Sequence, residues 1–227
     1  HTSYFAVRNG ILEYVYDCDV CNSWQVRLLT NNHDKIIPSY SMARFTPNYN
    51  MTSNTYVDTV MGVLRDIYPI ESEREYILDM FSTAVCPNIQ KDEFLFMYGS
   101  GADGKSTVNS ILRAMLGSTA TQTCYENDTQ IILTNPGGYC TSMESSTLGA
   151  EKKRGSADEG GTINLKDKTY CVIAEPPRVE IKSEVIKAWT GFNVIQSRGM
   201  YMASEEITVN CLIVCETNVD PTYDTVD

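Results

Sequence analysis

Gly99-Ser100-Gly101-Ala102-Asp103-Gly104-Lys105-Ser106-Thr107 decides how this 227-residue chain is read. A glycine, four free positions and then Gly-Lys-Ser form the Walker A, or P-loop, pattern. The flanks supply the context that the motif needs. Phe94-Leu95-Phe96-Met97-Tyr98 is an apolar run of strand length. Beyond the loop, Val108, Ile111, Leu112, Met115 and Leu116 fall at helical spacing, and Gly117 stands where a C-cap belongs. In a strand–loop–helix of this kind, glycines let successive N–H groups converge on one anion, and the helix N-terminus adds partial positive charge. Residues Gly99 to Thr107 are therefore expected to hold a nucleotide, ATP. Lys105 would reach the outer phosphates, and the Ser106 hydroxyl would ligate Mg²⁺.

Downstream, Tyr170-Cys171-Val172-Ile173-Ala174 is an apolar strand that ends in Glu175. A carboxylate at that point has the Walker B form. It would hold Mg²⁺ through water or polarise the attacking water. A second buried strand, Cys211-Leu212-Ile213-Val214-Cys215, ends in Glu216-Thr217-Asn218. An amide at the C-terminal end of a central strand faces the crevice where α/β sheets bind ligands, so Asn218 is read as a catalytic candidate that orients water or touches the γ-phosphate. Its simpler reading is a turn residue before Pro221. Glu184 to Trp189 reads as a helix closed by Thr190-Gly191. Phe192–Ile195 and Gly199–Ala203 are expected to pair as a hairpin with Ser197, Arg198 and Gly199 near its tip.

The rest divides by pattern. Residues 1–53 read as a β-rich segment: Tyr4–Val7, a turn at Asn9-Gly10, Ile11–Tyr16 and Gln25–Leu29. Residues 54–90 read as helical. Val57, Val60, Met61, Leu64 and Ile67 form one stripe that ends at Pro69. Tyr76, Ile77, Met80, Phe81 and Ala84 form a second, opened by the capping box Ser72-x-x-Glu75. Residues 91–227 form the P-loop core, in which 118–168 read as polar and irregular. Lys152, Lys153 and Arg154 there read as a solvated charge run.

Composition narrows the class. The formal net charge is −11, which argues against a surface coated for nucleic acid but permits a few inward-facing cations. No apolar run is long enough to span a membrane, and the start has no signal-peptide pattern. Lacking an initial Met, the chain reads as a piece of a longer protein. Cys18-x-x-Cys21 has metal-ligand spacing without a second pair nearby, a weak zinc signal. Cys171, Cys211 and Cys215 read as small core hydrophobes, and the pattern suits a reducing compartment.

Taken in order, these motifs resemble superfamily III helicases, and most closely the poxvirus-type primase-helicases of nucleocytoplasmic large DNA viruses with their phage and plasmid relatives. Tyr98 to Thr107 resembles the family's P-loop, and Ala174-Glu175-Pro176 its Walker B. Ile186-Lys187-Ala188-Trp189-Thr190-Gly191 followed by Ser197-Arg198 resembles its helix and hairpin. Val214-Cys215-Glu216-Thr217-Asn218 with Pro221 resembles its sensor 1, and Arg8 to Leu12 with the two helices resembles the segment before the motor. The resemblance implies an AAA+-like P-loop core and a hexameric homo-oligomeric ring. It implies ATP-driven unwinding of single-stranded or forked DNA in viral replication, alongside other replication proteins and in the host cytoplasm. Arg198 and Tyr201 would grip DNA on the pore hairpin, and Lys187 would support the ATP site or a subunit interface. The pattern departs in three ways. Ala174 stands where a second acid is common, Asp103 where Asn is common, and the arginine finger would fall beyond Asp227. No primase centre is visible. Two other classes share the P-loop: another ATPase, such as a packaging motor or a kinase, and a nucleotide-gated assembly module without unwinding activity. A kinase would bring an Arg-rich lid, which the sequence lacks.

Overall fold

Burial on both faces is what selects the strands around the loop. β8 (Tyr170–Ala174) and β11 (Leu212–Thr217) are short runs rich in apolar and β-branched residues, as strands covered on both sides require, and β4 (Phe94–Tyr98) is an apolar run led by aromatic residues. The structure is a computed structural model that describes residues 2–17, 23–30, 46, 48–50, 55–86, 92–117, 122–126, 129–133, 138–149, 162–174, 180–191, 194–197 and 203–224. By its internal packing the chain divides into two compact units, His1–Asn88 with Ser110–Cys140, and Ile89–Asn109 with Thr141–Asp227.

The larger sheet of the second unit has the order β4-β11-β8-β7, with β7 spanning Cys140–Met143. β11 runs parallel to both neighbours, with Ile213 opposite Phe94 and Cys171, and Glu216 opposite Met97 and Ala174. β8 and β11, both later in sequence than the P-loop, thus lie side by side, and β11 separates β8 from the P-loop strand. Cys171, Ile173, Leu212, Ile213, Val214 and Cys215 have no accessible surface. They belong to a core that also holds Leu148, Leu165, Ile181 and Trp189. The three cysteines expected in the core are there, and burial pushes the Cys215 thiol up to about 11. β4 ends the order of described strands, so Phe94, Leu95 and Phe96 are only half-buried and Met97 alone is enclosed.

Helix α3 (Lys105–Met115) begins directly at the P-loop lysine. Its inward face is Val108, Asn109, Leu112 and Leu116, all at most 4% exposed. This corrects the apolar stripe by one position: Met115 is exposed, and the polar Asn109 takes an inward place. Gly117 follows at φ +77, the left-handed conformation that lets a glycine end a helix. Helix α4 (Ser183–Thr190) matches the expected span and closes at Gly191, whose N–H bonds to Lys187 O. It is capped from far along the chain: Asp224 Oδ1 accepts from Ser183 N at 2.8 Å and Ser183 Oγ at 2.7 Å. Those bonds hold the Asp224 carboxyl below the usual range.

The hairpin pairs differently from its expected register. β9 (Val194–Ser197) is antiparallel to β10 (Glu205–Thr208), with Ile195 opposite Ile207 and Ser197 opposite Glu205. Burial decides this, because Ile195 and Ile207 both enter the core. Of the expected returning strand, Ala203 lies outside β10, and residues 199–202 fall outside the described residues.

The first unit is built on a meander of β1 (Thr2–Val7), β2 (Gly10–Asp17) and β3 (Ser23–Leu29), all antiparallel. The turn expected at Asn9-Gly10 falls one residue earlier, at Arg8-Asn9, because Gly10 already pairs with Val7, and the Asn9 side chain grips Tyr49 through two bonds of 2.8 Å. Phe5 packs on Tyr139 with ring centroids 4.3 Å apart, and Tyr139 OH donates to Ala6 O at 2.8 Å. Helices α1 (Thr55–Ile67) and α2 (Glu71–Val85) match the two apolar stripes, except that Val57 and Tyr76 are exposed. The capping box does not form. Pro69 sets the chain so that Ile70 is the N-cap, without a side-chain bond, which leaves Ser72 already inside the helix. Within 118–168, read as irregular, the described residues include a hairpin of β5 (Gln122–Glu126) and β6 (Thr129–Leu133), strand β7, and two 3₁₀ turns at Ser145–Leu148 and Thr162–Leu165.

Candidate nucleotide site

The P-loop leaves β4 tethered to the neighbouring strand, since Gly99 N donates to Thr217 O at 3.2 Å. Gly99 leaves room that a side chain would deny: a Cβ there would stand 1.5 Å from Asp103 Oδ2. Gly101, Ala102 and Gly104 then take positive φ values of 98°, 53° and 89°. Three left-handed residues in four turn the loop back over the start of α3. Ala102 is the unusual member, because a Cβ disfavours that conformation.

An open cavity of about 460 Å³ results, lined by Gly101 to Thr107, Ala174, Glu216, Thr217 and Asn218. Its size suits a nucleotide-sized ligand. Lys105 is 8% exposed, and its three ammonium donors meet Asp103 Oδ1 and Oδ2, both at 2.7 Å, and Asn218 Oδ1 at 3.0 Å. The Lys105 hydrogen bonds hold the Asp103 carboxyl below its ordinary range. An anion entering this cradle therefore competes with Asp103 for the ammonium.

Glu216 forms the opposite wall. Ser106 Oγ donates to Glu216 Oε2 at 2.7 Å, and Asn109 Nδ2 donates to Glu216 Oε1 at 2.5 Å. Asn109, 2% exposed, spends its second amide proton on Met97 Sδ at 3.4 Å and accepts from Tyr170 OH. One buried amide thus joins β4, β8 and β11 to the first turn of α3. The Thr217 hydroxyl donates to Val219 O and accepts from Val219 N at 3.0 Å, fixing the turn that carries Asn218.

Among the residues singled out in the sequence, Gly101 to Thr107 and Asn218 meet in this cavity, and Gly99 and Ser100 lead into it. Glu175, Arg198 and Tyr201 lie outside the described residues, as do Cys18, Cys21 and the run Lys152–Arg154. Lys187 is an exposed residue of α4 and is not among the lining residues. Glu216 and Asn109 are the site residues that sequence reasoning missed. Glu216 did carry a signal: it sits two positions before Asn218, and strand residues two apart share a face.

The donor chemistry fits a hard cation such as Mg²⁺, since the Ser106 hydroxyl and the Glu216 carboxylate offer oxygen beside a phosphate cradle. Among the described residues no group of three or more His, Cys, Asp or Glu could hold a metal by itself. Mg²⁺ is commonly bound through one or two protein oxygens together with the phosphates of a nucleotide.

A parallel sheet with a glycine loop at the carboxyl ends of its strands makes this mixed α/β unit consistent with a P-loop-like NTPase core. The chain is similar to "Putative helicase L207/L206" of Acanthamoeba polyphaga mimivirus, at 28% identity over 143 residues, which is 63% of this chain and 13% of that protein. The chain therefore spans only a small part of that relative. No protein-family model matches it. Among solved structures, two apo structures of the C-terminal region of NrS-1 align at 12% and 11% identity, each with a TM-score of 0.47. They cover 81% of this chain and 37% and 36% of theirs. Among the described residues no helix is long and apolar enough to cross a membrane.

Proposed function

We propose that the chain is the ATPase core of a viral DNA helicase of superfamily III type. The observation that carries the reading is the meeting, in one cavity, of the P-loop with the carboxyl ends of β8 and β11. Similarity to a mimivirus protein named as a helicase supports the choice of motor. In this reading Gly99 to Thr107 enfold the ATP phosphates, Lys105 leaves Asp103 for the β- and γ-phosphates, and Asn218 turns toward the γ-phosphate or the lytic water. Ser106 and Glu175 hold Mg²⁺, which neutralises charge on the phosphate oxygens when bound. Glu175 also polarises the water. Arg198 and Tyr201, between β9 and β10 in sequence, contact the DNA backbone and bases in the pore of a hexameric ring.

The test is ATP hydrolysis with and without single-stranded DNA, with Lys105→Ala as the blank. Strong stimulation by DNA that vanishes in the blank is the expected result. Turnover that depends on Lys105 but ignores DNA moves the chain to the packaging, kinase or assembly readings. Full activity in the blank removes the P-loop assignment.

A further inference from the structure

Among the described residues, Glu216 is the acid that accepts from Ser106, and neither the P-loop pattern nor the Walker B reading assigns it. Its backbone position is fixed by the parallel ladder, opposite Ala174 on β8 and Met97 on β4. At this register β8 therefore offers the cavity only a methyl group, while β11 offers a carboxylate. Both carboxylate oxygens are engaged, Oε2 by Ser106 Oγ at 2.7 Å and Oε1 by Asn109 Nδ2 at 2.5 Å. Asn109 is itself anchored by Tyr170 and Met97, so the carboxylate is held by a buried scaffold.

A serine hydroxyl has one proton and two lone pairs. By donating its hydrogen bond to Glu216, the Ser106 hydroxyl turns its lone-pair side away from the carboxylate, and that donation makes the oxygen a better ligand for a metal. Carboxylates that orient a metal ligand in this way typically change metal affinity by 10–100-fold.

We propose that Glu216 is the positioning residue for the cation that accompanies the nucleotide, acting through Ser106 and placing negative charge where β8 has only Ala174. This rests on the nucleotide reading above. Without the cation, the same carboxylate repels a triphosphate; with it, the carboxylate holds the cation–phosphate pair together. Removing the charge thus has opposite consequences in the two conditions. A side chain that only braces the fold would shift both in the same direction.

The experiment is a titration of the whole chain with a fluorescent ATP analogue, in chelator and across a Mg²⁺ series. It compares wild type, Glu216→Gln, Ser106→Ala, the double variant and Lys105→Ala. Glu216→Gln keeps the shape and retains one acceptor. It is expected to bind the analogue a few-fold tighter in chelator, and to need roughly 10-fold more Mg²⁺ for half-maximal tightening. In the Ser106→Ala background the same change is expected to add little to the Mg²⁺ requirement, because the two residues act as one unit. An unchanged Mg²⁺ requirement, or equal weakening in both conditions, overturns the proposal. Additive effects in the double variant overturn the route through Ser106. The Lys105 arm reports on the nucleotide reading separately. If wild type fails to bind, or Lys105→Ala binds as well as wild type, that reading falls and the inference falls with it. A normal Lys105 response with a flat Glu216 response sinks the inference alone.

Discussion

The two larger sheets among the described residues are written in different ways, and only one of them builds a site. In the β1–β2–β3 meander every pairing is antiparallel, and β3 carries the exposed Gln25, Val26 and Arg27. In the parallel sheet β8 and β11 are buried almost throughout, and polar residues appear only where the strands end. A polar group inside a fully covered strand would have to find a partner or lose its hydration. At the carboxyl end of the strand it faces a crevice instead. Glu216, Thr217 and Asn218 stand at that boundary, and the P-loop closes over it. Side chains of the meander serve packing: Phe5 lies on Tyr139, and Asn9 holds Tyr49.

The comparison breaks most directly at Phe5. Phe5→Ala removes a ring that is 1% exposed and should cost about 3–5 kcal/mol in urea unfolding. A cost confined to stability, with nucleotide affinity retained by the folded fraction, is the expected outcome. Lys105→Ala is the mirror case. It should lower ATP turnover by roughly 10²–10³-fold, the usual scale for losing one preorganised charge contact, while the melting temperature stays close to wild type. A variant that instead melts early would make Lys105 a packing residue.

Asn109 tests whether the site is rigid because of its buried amide. Asn109→Leu leaves Tyr170 OH without its acceptor and Glu216 Oε1 without its donor. It should cost roughly 1–3 kcal/mol by denaturant titration, and nucleotide binding should weaken as Glu216 loses its anchor. The smallest effect belongs to Asp224. Its carboxyl is held below the ordinary range because the Ser183 N–H and hydroxyl donate to it. A carboxyl lowered by folding stabilises above its unfolded value of about 3.9, and the benefit fades as pH falls through the lower folded value. Asp224→Ala should therefore melt earlier than wild type near neutrality, and the gap should close in acid. A gap that is constant with pH would assign the Asp224 contribution to something other than charge.

Much of this architecture is legible in local pattern. The P-loop, its strand, the spans of α3 and α4, the hairpin of β1 and β2 (to within one residue of its turn) and strands β8 and β11 all declare themselves through spacing that neighbours in sequence enforce. The misreadings share one cause. The Ser72 cap, the inward Asn109, the returning strand of the 190s hairpin and the strands within 118–168 each depend on what a segment meets, which periodicity does not encode. Ile207 pairs with Ile195 because both enter one core, although Gly199–Ala203 is nearer in sequence.

By itself the sequence determined that a phosphate cradle lies between a buried strand and a helix, because the glycines and Lys105 fall within one short stretch at the spacing the backbone needs to make that shape. It also determined that Asn218 directly follows a buried strand. Tertiary structure alone decided which strand lies beside the P-loop. With β11 in that place, residues more than a hundred positions apart become neighbours, Ser106 with Glu216 and Lys105 with Asn218. The physical reason is the parallel ladder. It fixes Glu216 opposite Ala174 and Met97 through backbone bonds that no local pattern announces.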